Sequence, residues 1–326
     1  MKIPIQYIWL GPFLSLKLIK NRSPYRNKIL NIMKKLLLLG IALAFLGCKS
    51  SAEHKNSKTA KAVTITASEV QQTVAFLASD DLKGRNTGTE GIETSASYVE
   101  KQLKSYGLKP YYETYRDSFK AKGLDAFNVV AYLEGNDSSL KDEVVILGAH
   151  YDHIGKSAVV ENDSIANGAN DNAAGTSAVL AMARYFATKK NNKRSIMFVL
   201  FSAEEMGLLG SKHLAKRLKS ENINLYTMVN IEMIGVPFKG RDYEAFITGY
   251  SKSNMAEKIN EYVGSNLIGF SEVAKKYNLF AHSDNYPFYN EFKKPCQTIS
   301  SCDLSNYDYY HHVDDEIDKL DYNHMA

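Results

Sequence analysis

Three short segments carry side chains of the kind that hold metal ions: GAHYDHIG (148–155), GANDNAAG (168–175) and FSAEEMG (201–207). They set His150 and the carboxylates Asp152, Asp171, Glu204 and Glu205 along one stretch of chain, and YYHHVDDEIDKLDY (309–322) adds histidines near the end. Zinc takes imidazole nitrogen and carboxylate oxygen, and a hydrolytic site keeps one coordination position for water. Two ions a few ångströms apart need a shared carboxylate between them and separate ligands on either side. Asp171 suits the shared position, because its small Gly, Asn and Ala neighbours let two cations approach. His150 and His311 suit the outer imidazoles, Glu205 and Glu232 the outer carboxylates. Adjacent Glu204 and Glu205 divide into one ligand and one base that takes a proton from water. Asp152, two residues after His150, is spaced to accept the second N–H of that imidazole. The chemistry these groups could do is hydrolysis by metal-activated water.

Each piece has an ordinary reading when taken alone. A Glu-Glu pair at a helix start is usually a solvated cap stabilised by the helix dipole, a His-x-Asp is a surface hydrogen bond, and Asn-Asp-Asn is turn chemistry. Their positions along the chain weaken those readings together. Helical spacing of Val70, Val74, Phe76 and Leu77 predicts a helix over 67–79 with Ser68 as cap, and a second helix runs over 91–106, stopped by Gly107 and Pro110. Apolar runs at 127–133 and 144–149, split by the polar turn GNDSSLKD, read as strands, as do 196–201 and 226–231. Helices over 173–189 and 203–218 lie between them. Strands alternating with helices predict an α/β fold, a mostly parallel mixed sheet sandwiched by helices. His150, Glu204/Glu205 and Glu232 each then follow a strand, at the carboxyl edge where open α/β sheets bind ligands.

The 326 residues and net charge of +4 are misleading until the N-terminus is read. Residues 1–32 read as an over-extended start, with Met33 as initiator. Residues 33–47 read as a lipoprotein signal: Lys34-Lys35, a twelve-residue apolar run from Leu36 to Gly47, then Cys48 as the lipidated N-terminus. Residues 1–47 hold 8 of the 40 basic residues and none of the 36 acidic ones, leaving 32 against 36 and a net charge of −4. Nucleic-acid binding loses its electrostatic support. Residues 48–63 are a polar tether, and 64–326 form one domain. The chain is expected in the cell envelope, anchored through Cys48, with the outer membrane, the periplasm or the exterior as its place. Cys296 and Cys302 are spaced to close a small disulfide loop or to stay as separate buried thiols.

With the lead-in FLASDDLKGRNTGTEG (76–91), a helix ending SYGLKP, and NIEMIG around Glu232, these motifs in this order resemble the zinc exopeptidase family of bacterial leucyl aminopeptidases, glutamate carboxypeptidase and glutaminyl cyclase. The resemblance runs from about Leu77 to Tyr322. It implies His150, Asp171, Glu205, Glu232 and His311 as ligands of two zinc ions, Asp171 bridging, Glu204 as general base and Tyr310 as donor to the tetrahedral oxyanion. It prefers His311 over His312, from the register of the closing DKLDY, and implies a cis peptide after Asp171. Three features depart from the family pattern: Glu232 stands where Asp is usual, Asn285 where His is usual in HSDNYPF, and DKLDY is not followed by a final helix. The resemblance implies peptide substrates and aminopeptidase activity. Cyclase or carboxypeptidase chemistry on the same scaffold, and a non-catalytic peptide- or zinc-binding lipoprotein, are the competing readings. Met233 is a candidate wall of the side-chain pocket.

Overall fold

The computed structural model describes residues 63–326, so the signal, the lipidated Cys48 and nearly all of the tether lie outside the described residues. No described helix is long and apolar enough to cross a membrane. The first described helix, α1 (Ala67–Leu77), is capped by Thr66, whose side-chain oxygen accepts the Glu69 amide, and not by Ser68. A short turn over Asp80–Arg85 leads into α2 (Glu90–Ser105). Strands β1 (Lys109–Pro110), β2 (Arg116–Ala121), β3 (Leu124–Leu133) and β4 (Val144–His150) follow, then a small hairpin of β5 (Gly155–Val160) and β6 (Asp163–Ala166). After it come α3 (Gly175–Lys189), β7 (Ser195–Phe201), α4 (Leu209–Ser220), β8 (Leu225–Ile231) and β9 (Ala245–Ile247). The last elements are α5 (Met255–Val263), β10 (Ile268–Gly269), α6 (Glu272–Lys276), α7 (Asn285–Phe292), β11 (Cys296–Ser300) and α8 (Tyr322–Met325).

The main sheet has the order β1-β3-β7-β4-β8-β11-β9-β10, with β2 paired to β3. Its centre, β7-β4-β8-β11, is parallel, while β3 against β7 and β9 against β11 are antiparallel. Both faces of β7 and β4 are covered, which is why these two strands are nearly continuous apolar runs. Along β7, Ile196, Phe198 and Leu200 pack with α2 and α3 residues such as Val99 and Leu180, while Met197, Val199 and Phe201 face Leu214 and Leu218 of α4. The alternation is the period-2 geometry of a strand read on two buried faces.

The runs on either side of GNDSSLKD form β3 and β4, with β7 lying between them in the sheet. One local expectation changes. The helix expected from residue 203 starts only at Leu209. Ala203 and Leu208 both take left-handed backbone angles (φ 56° and 61°), which no helix continues through, so Glu204 and Glu205 sit in a turn at the end of β7.

Candidate metal centre

The carboxyl ends of the parallel strands deliver the candidate side chains to one place. His150 is the last residue of β4 and is buried. Its Nδ1 lies 3.1 Å from the backbone carbonyl of Asp152, which leaves Nε2 facing Asp171 Oδ1 at 3.3 Å and Glu232 Oε1 at 3.7 Å. Glu232 follows β8, and its other oxygen is held by the Ser283 hydroxyl and, at 3.4 Å, by Asn230 Nδ2.

Asp171 lies in an irregular turn, Ala169–Ala174, ahead of α3, and its peptide to Asn172 is cis. Asp315 sets this turn: its carboxylate accepts the Asn170 amide at 2.7 Å and the Asp171 amide at 3.0 Å, while Tyr307 donates its hydroxyl to it at 2.6 Å. The turn thereby presents both Asp171 oxygens. Oδ1 faces His150, and Oδ2 lies 3.4 Å from His311 Nε2. Glu205 completes the second group, with Oε2 3.1 Å from His311 Nε2 and Oε1 3.0 Å from Nδ1 of His153. His312, by contrast, accepts the Asp314 amide at Nδ1 and takes no part in the cluster.

Tyr310 stacks its ring on His311 at 3.9 Å and stands half-exposed at the mouth of a cavity. Asp152 plays a different part from the one its spacing suggested. The His150 N–H meets the backbone carbonyl of Asp152, while the carboxylate, 3.8 Å from that ring, instead accepts the amides of Glu204 and Glu205 at 3.2 and 3.4 Å and the Thr87 hydroxyl at 3.3 Å. With Glu204 and Glu205 in a turn instead of a helix, their amides have no intrahelical acceptors, and Asp152 supplies one.

Three residues outside the expected set shape the centre. His153 is fully buried beside Glu205. Asp315 anchors the Asp171 turn. Arg85, also fully buried, donates to the carbonyls of Leu77, Tyr151, Asn167 and Gly168, tying the His150 segment to the Asp171 turn. GAHYDHIG carried a second histidine as a signal for the first. The other two act through backbone groups that no spacing reveals. The flanking backbone is unusual as well: Ala203, Met233 and His311 each take a positive φ next to or at a candidate ligand, a costly conformation that concentrates at functional sites.

The electrostatics follow from crowding carboxylates and imidazoles together without solvent. Burial disfavours a charged His150, but Glu204, Asp171 and Glu232 outweigh it and hold the ring well above the usual histidine range. His311 is likewise raised to about 10, the Asp171 and Glu205 carboxylates beside its ring overcoming burial. Asp171, despite burial, is held well below the usual carboxylate range by His150 and His311. Glu204 goes the other way: burial, reinforced by Glu232, Asp284 and Glu205, raises it far above an ordinary carboxyl even against His150. Burial lifts Asp152 to about 6 and Asp284 to about 7. Crowding thus pushes neighbouring acids, Asp171 and Glu204, in opposite directions.

Beside Glu232 opens a cavity of about 270 Å³ walled by Met233, Phe246, Tyr277, Leu279 and Leu304, with the buried Cys302 thiol in its lining. Cys296 and Cys302 are both free. The lining contains no arginine or lysine.

Comparison with known proteins identifies the family and the fold. The profile described as Peptidase family M28 matches residues 128–326. A Trichophyton verrucosum protein named "Probable leucine aminopeptidase" is 29% identical over 249 residues, 73% of this chain and 62% of its own length. A Pyrenophora teres f. teres protein named "Probable zinc metalloprotease" is 39% identical over 107 residues, 33% of this chain and 22% of its own. The chain thus spans less than two thirds of these relatives. Among solved structures, the zinc aminopeptidase BSAP of Bacillus subtilis superposes with a TM-score of 0.62 at 15% identity, covering 81% of this chain and 92% of its own. The glutaminyl cyclase of Porphyromonas gingivalis gives 0.61 at 18% identity, covering 80% and 94%. At these identities the two structures share the fold.

Proposed function

We propose, from the premise that this chain belongs to peptidase family M28, that it is a zinc-dependent exopeptidase releasing N-terminal residues from peptides. The observation that carries the reading is the division of Asp171, one oxygen turned to His150 and the other to His311. The donor set fits zinc. Nε2 of His150 and of His311 are buried without a hydrogen-bond partner, aimed among carboxylates. Their spacings of 3.1 to 3.7 Å match the ligand-to-ligand edge of roughly 3.3 Å that a tetrahedron of bonds of about 2.0 Å requires. His150, Asp171 and Glu232 would hold one ion, and Asp171, Glu205 and His311 the other. Bound there, two zinc ions would polarise a carbonyl and lower the pKa of a water to near neutrality.

The chain's own residues then supply the proton chemistry. Glu204, in the turn at the end of β7 beside Glu205, takes a proton from the attacking water onto its carboxylate and returns it to the amine nitrogen as the C–N bond breaks. Tyr310, stacked on His311, offers its hydroxyl to the oxygen that becomes negative. Asp152 keeps the Glu204-Glu205 turn in place. The apolar cavity beside Glu232 suits an uncharged N-terminal side chain.

The test is a mass-spectrometric digest of peptides with free or blocked termini, with zinc and with a chelator control. Stepwise loss of apolar residues from free N-termini, abolished by chelator and by N-terminal blocking, supports the proposal. Intact peptides from folded, zinc-loaded protein would sink it, and conversion of N-terminal glutamine to a cyclic product would move the reading to the cyclase.

A further inference from the structure

We propose that His153 is a positioning residue that holds Glu205 in a single orientation toward the second metal, and that it does so as the Nδ1–H tautomer, outside the coordination sphere. The proposal rests on the two-zinc reading above. Its starting point is that the two oxygens of Glu205 face different rings: Oε2 meets His311 Nε2 at 3.1 Å and Oε1 meets His153 Nδ1 at 3.0 Å. His153 therefore competes with His311 for the role of ligand, and the surroundings decide between them.

His153 Nε2 is buried and has no hydrogen-bond partner. If Nδ1 bound a metal, the ring proton would have to sit on Nε2, leaving a buried N–H unsatisfied, which costs roughly 1–3 kcal/mol. With the proton on Nδ1, Nε2 is still a buried acceptor without a partner, but the ring's one N–H is satisfied by Oε1. The distances agree. Nδ1 to Oε1 is a hydrogen bond, whereas Nδ1 to Asp171 Oδ2 is 3.8 Å, longer than the 3.4 Å that separates this same oxygen from His311.

The ring has little freedom to choose otherwise. Gly168, at φ +60°, lies so close that a Cβ there would fall 2.6 Å from the ring's Cγ and Cδ2. The His153 amide donates to the Arg85 carbonyl at 3.3 Å, and the Arg85 guanidinium donates in turn to the Gly168 carbonyl at 3.0 Å. Arg85 and Gly168 frame the ring on one side, the His311 ring meets it edge-on at 5.6 Å, and Glu205 accepts its one side-chain hydrogen bond. Fixing Oε1 in this way leaves Oε2 as the one oxygen available to an ion shared with His311 and Asp171.

The test uses zinc titration against a competing chelator on the purified protein and two variants, with circular dichroism to follow folding. His153→Asn keeps an N–H near the Nδ1 position but is a poor zinc ligand, and His153→Ala removes both. The expected result is second-site affinity close to the parent in His153→Asn and 10- to 100-fold weaker in His153→Ala, with the first site unchanged. Equal loss in both variants would overturn the proposal in favour of direct ligation, and no loss in His153→Ala would overturn it outright. Nitrogen-15 NMR of histidine-labelled, zinc-loaded parent protein needs no variant: a protonated Nδ1 at His153 is expected, and a metal-bound Nδ1 refutes it. A parent that binds a single zinc instead fails the two-zinc reading, a distinct outcome.

Discussion

Arg85→Met removes the buried guanidinium while keeping a long apolar stem, and its effect can be worked from the contacts. Four backbone carbonyls accept from Arg85, two of them, Tyr151 and Gly168, at an ordinary 3.0 Å. At about 1.5 kcal/mol net for each bond from a charged donor, the four contribute about 6 kcal/mol. Burial acts against this. It lowers the guanidinium from its ordinary 12.5 to about 10, the carboxylates Asp315 and Asp171 only partly compensating. That drop corresponds to about 3 kcal/mol at roughly 1.4 kcal/mol per tenfold change in proton affinity. The difference predicts that Arg85→Met loses about 3 kcal/mol of stability, read from urea unfolding of metal-free protein at neutral pH with an unchanged slope. Because three of these carbonyls, Tyr151, Asn167 and Gly168, lie on the His150 segment and the approach to the Asp171 turn, zinc affinity should fall with it. A loss under about 1 kcal/mol would refute the reasoning, since it would mean that the four carbonyls find other partners or that burial cancels the bonds.

Glu204→Gln should lower turnover by about 10²- to 10⁴-fold while both metals still bind, as seen by metal analysis beside steady-state rates. Zinc affinity should rise with pH between 6 and 9. His311, raised to about 10 in the metal-free protein, keeps a proton through that window and must release it for a metal to enter, which predicts about a tenfold gain per pH unit for each proton displaced. A chelator competition across this range measures the slope, and a flat profile contradicts the assignment. Burial pushes the Cys296 and Cys302 thiols up to about 12, so neither should react with iodoacetamide at pH 8 in the folded protein, while both should in urea; peptide mapping reads each site separately.

Much of the centre was legible because it lies on long, strongly patterned elements. The apolar run that became β7 and the stripe of α3 fix where Glu204, Glu205 and Asp171 fall, and the carboxyl-edge rule brings them to His150 and Glu232. What stayed hidden depends on tertiary partners. The Glu-Glu turn reads as a helix start until Ala203 and Leu208 are seen in left-handed conformation. The antiparallel insertion of β7 beside β3 is a topological choice that a polar turn does not announce. The contributions of Arg85 and Asp315 run through backbone carbonyls and amides, which carry no sequence code. Asp152 was tied to the right neighbourhood by spacing, but its partner was assigned as a ring when it is a turn.

The candidate ligands are not equally enclosed. The His150 and Asp171 side chains are 1% and 3% exposed, Glu205 11% and Glu232 17%, whereas His311 is 35% exposed. It is also the one ligand whose carbonyl is tied to the β5–β6 hairpin, through the Ser157 hydroxyl at 2.7 Å. On the two-zinc proposal, an ion beside His311 would reach solvent by displacement of that single imidazole, while one beside His150 would be walled in by strand ends. Under dilution or a slow chelator the ion beside His311 would then depart first, and a protein carrying two different metals could be assembled by filling the sheltered position before the open one.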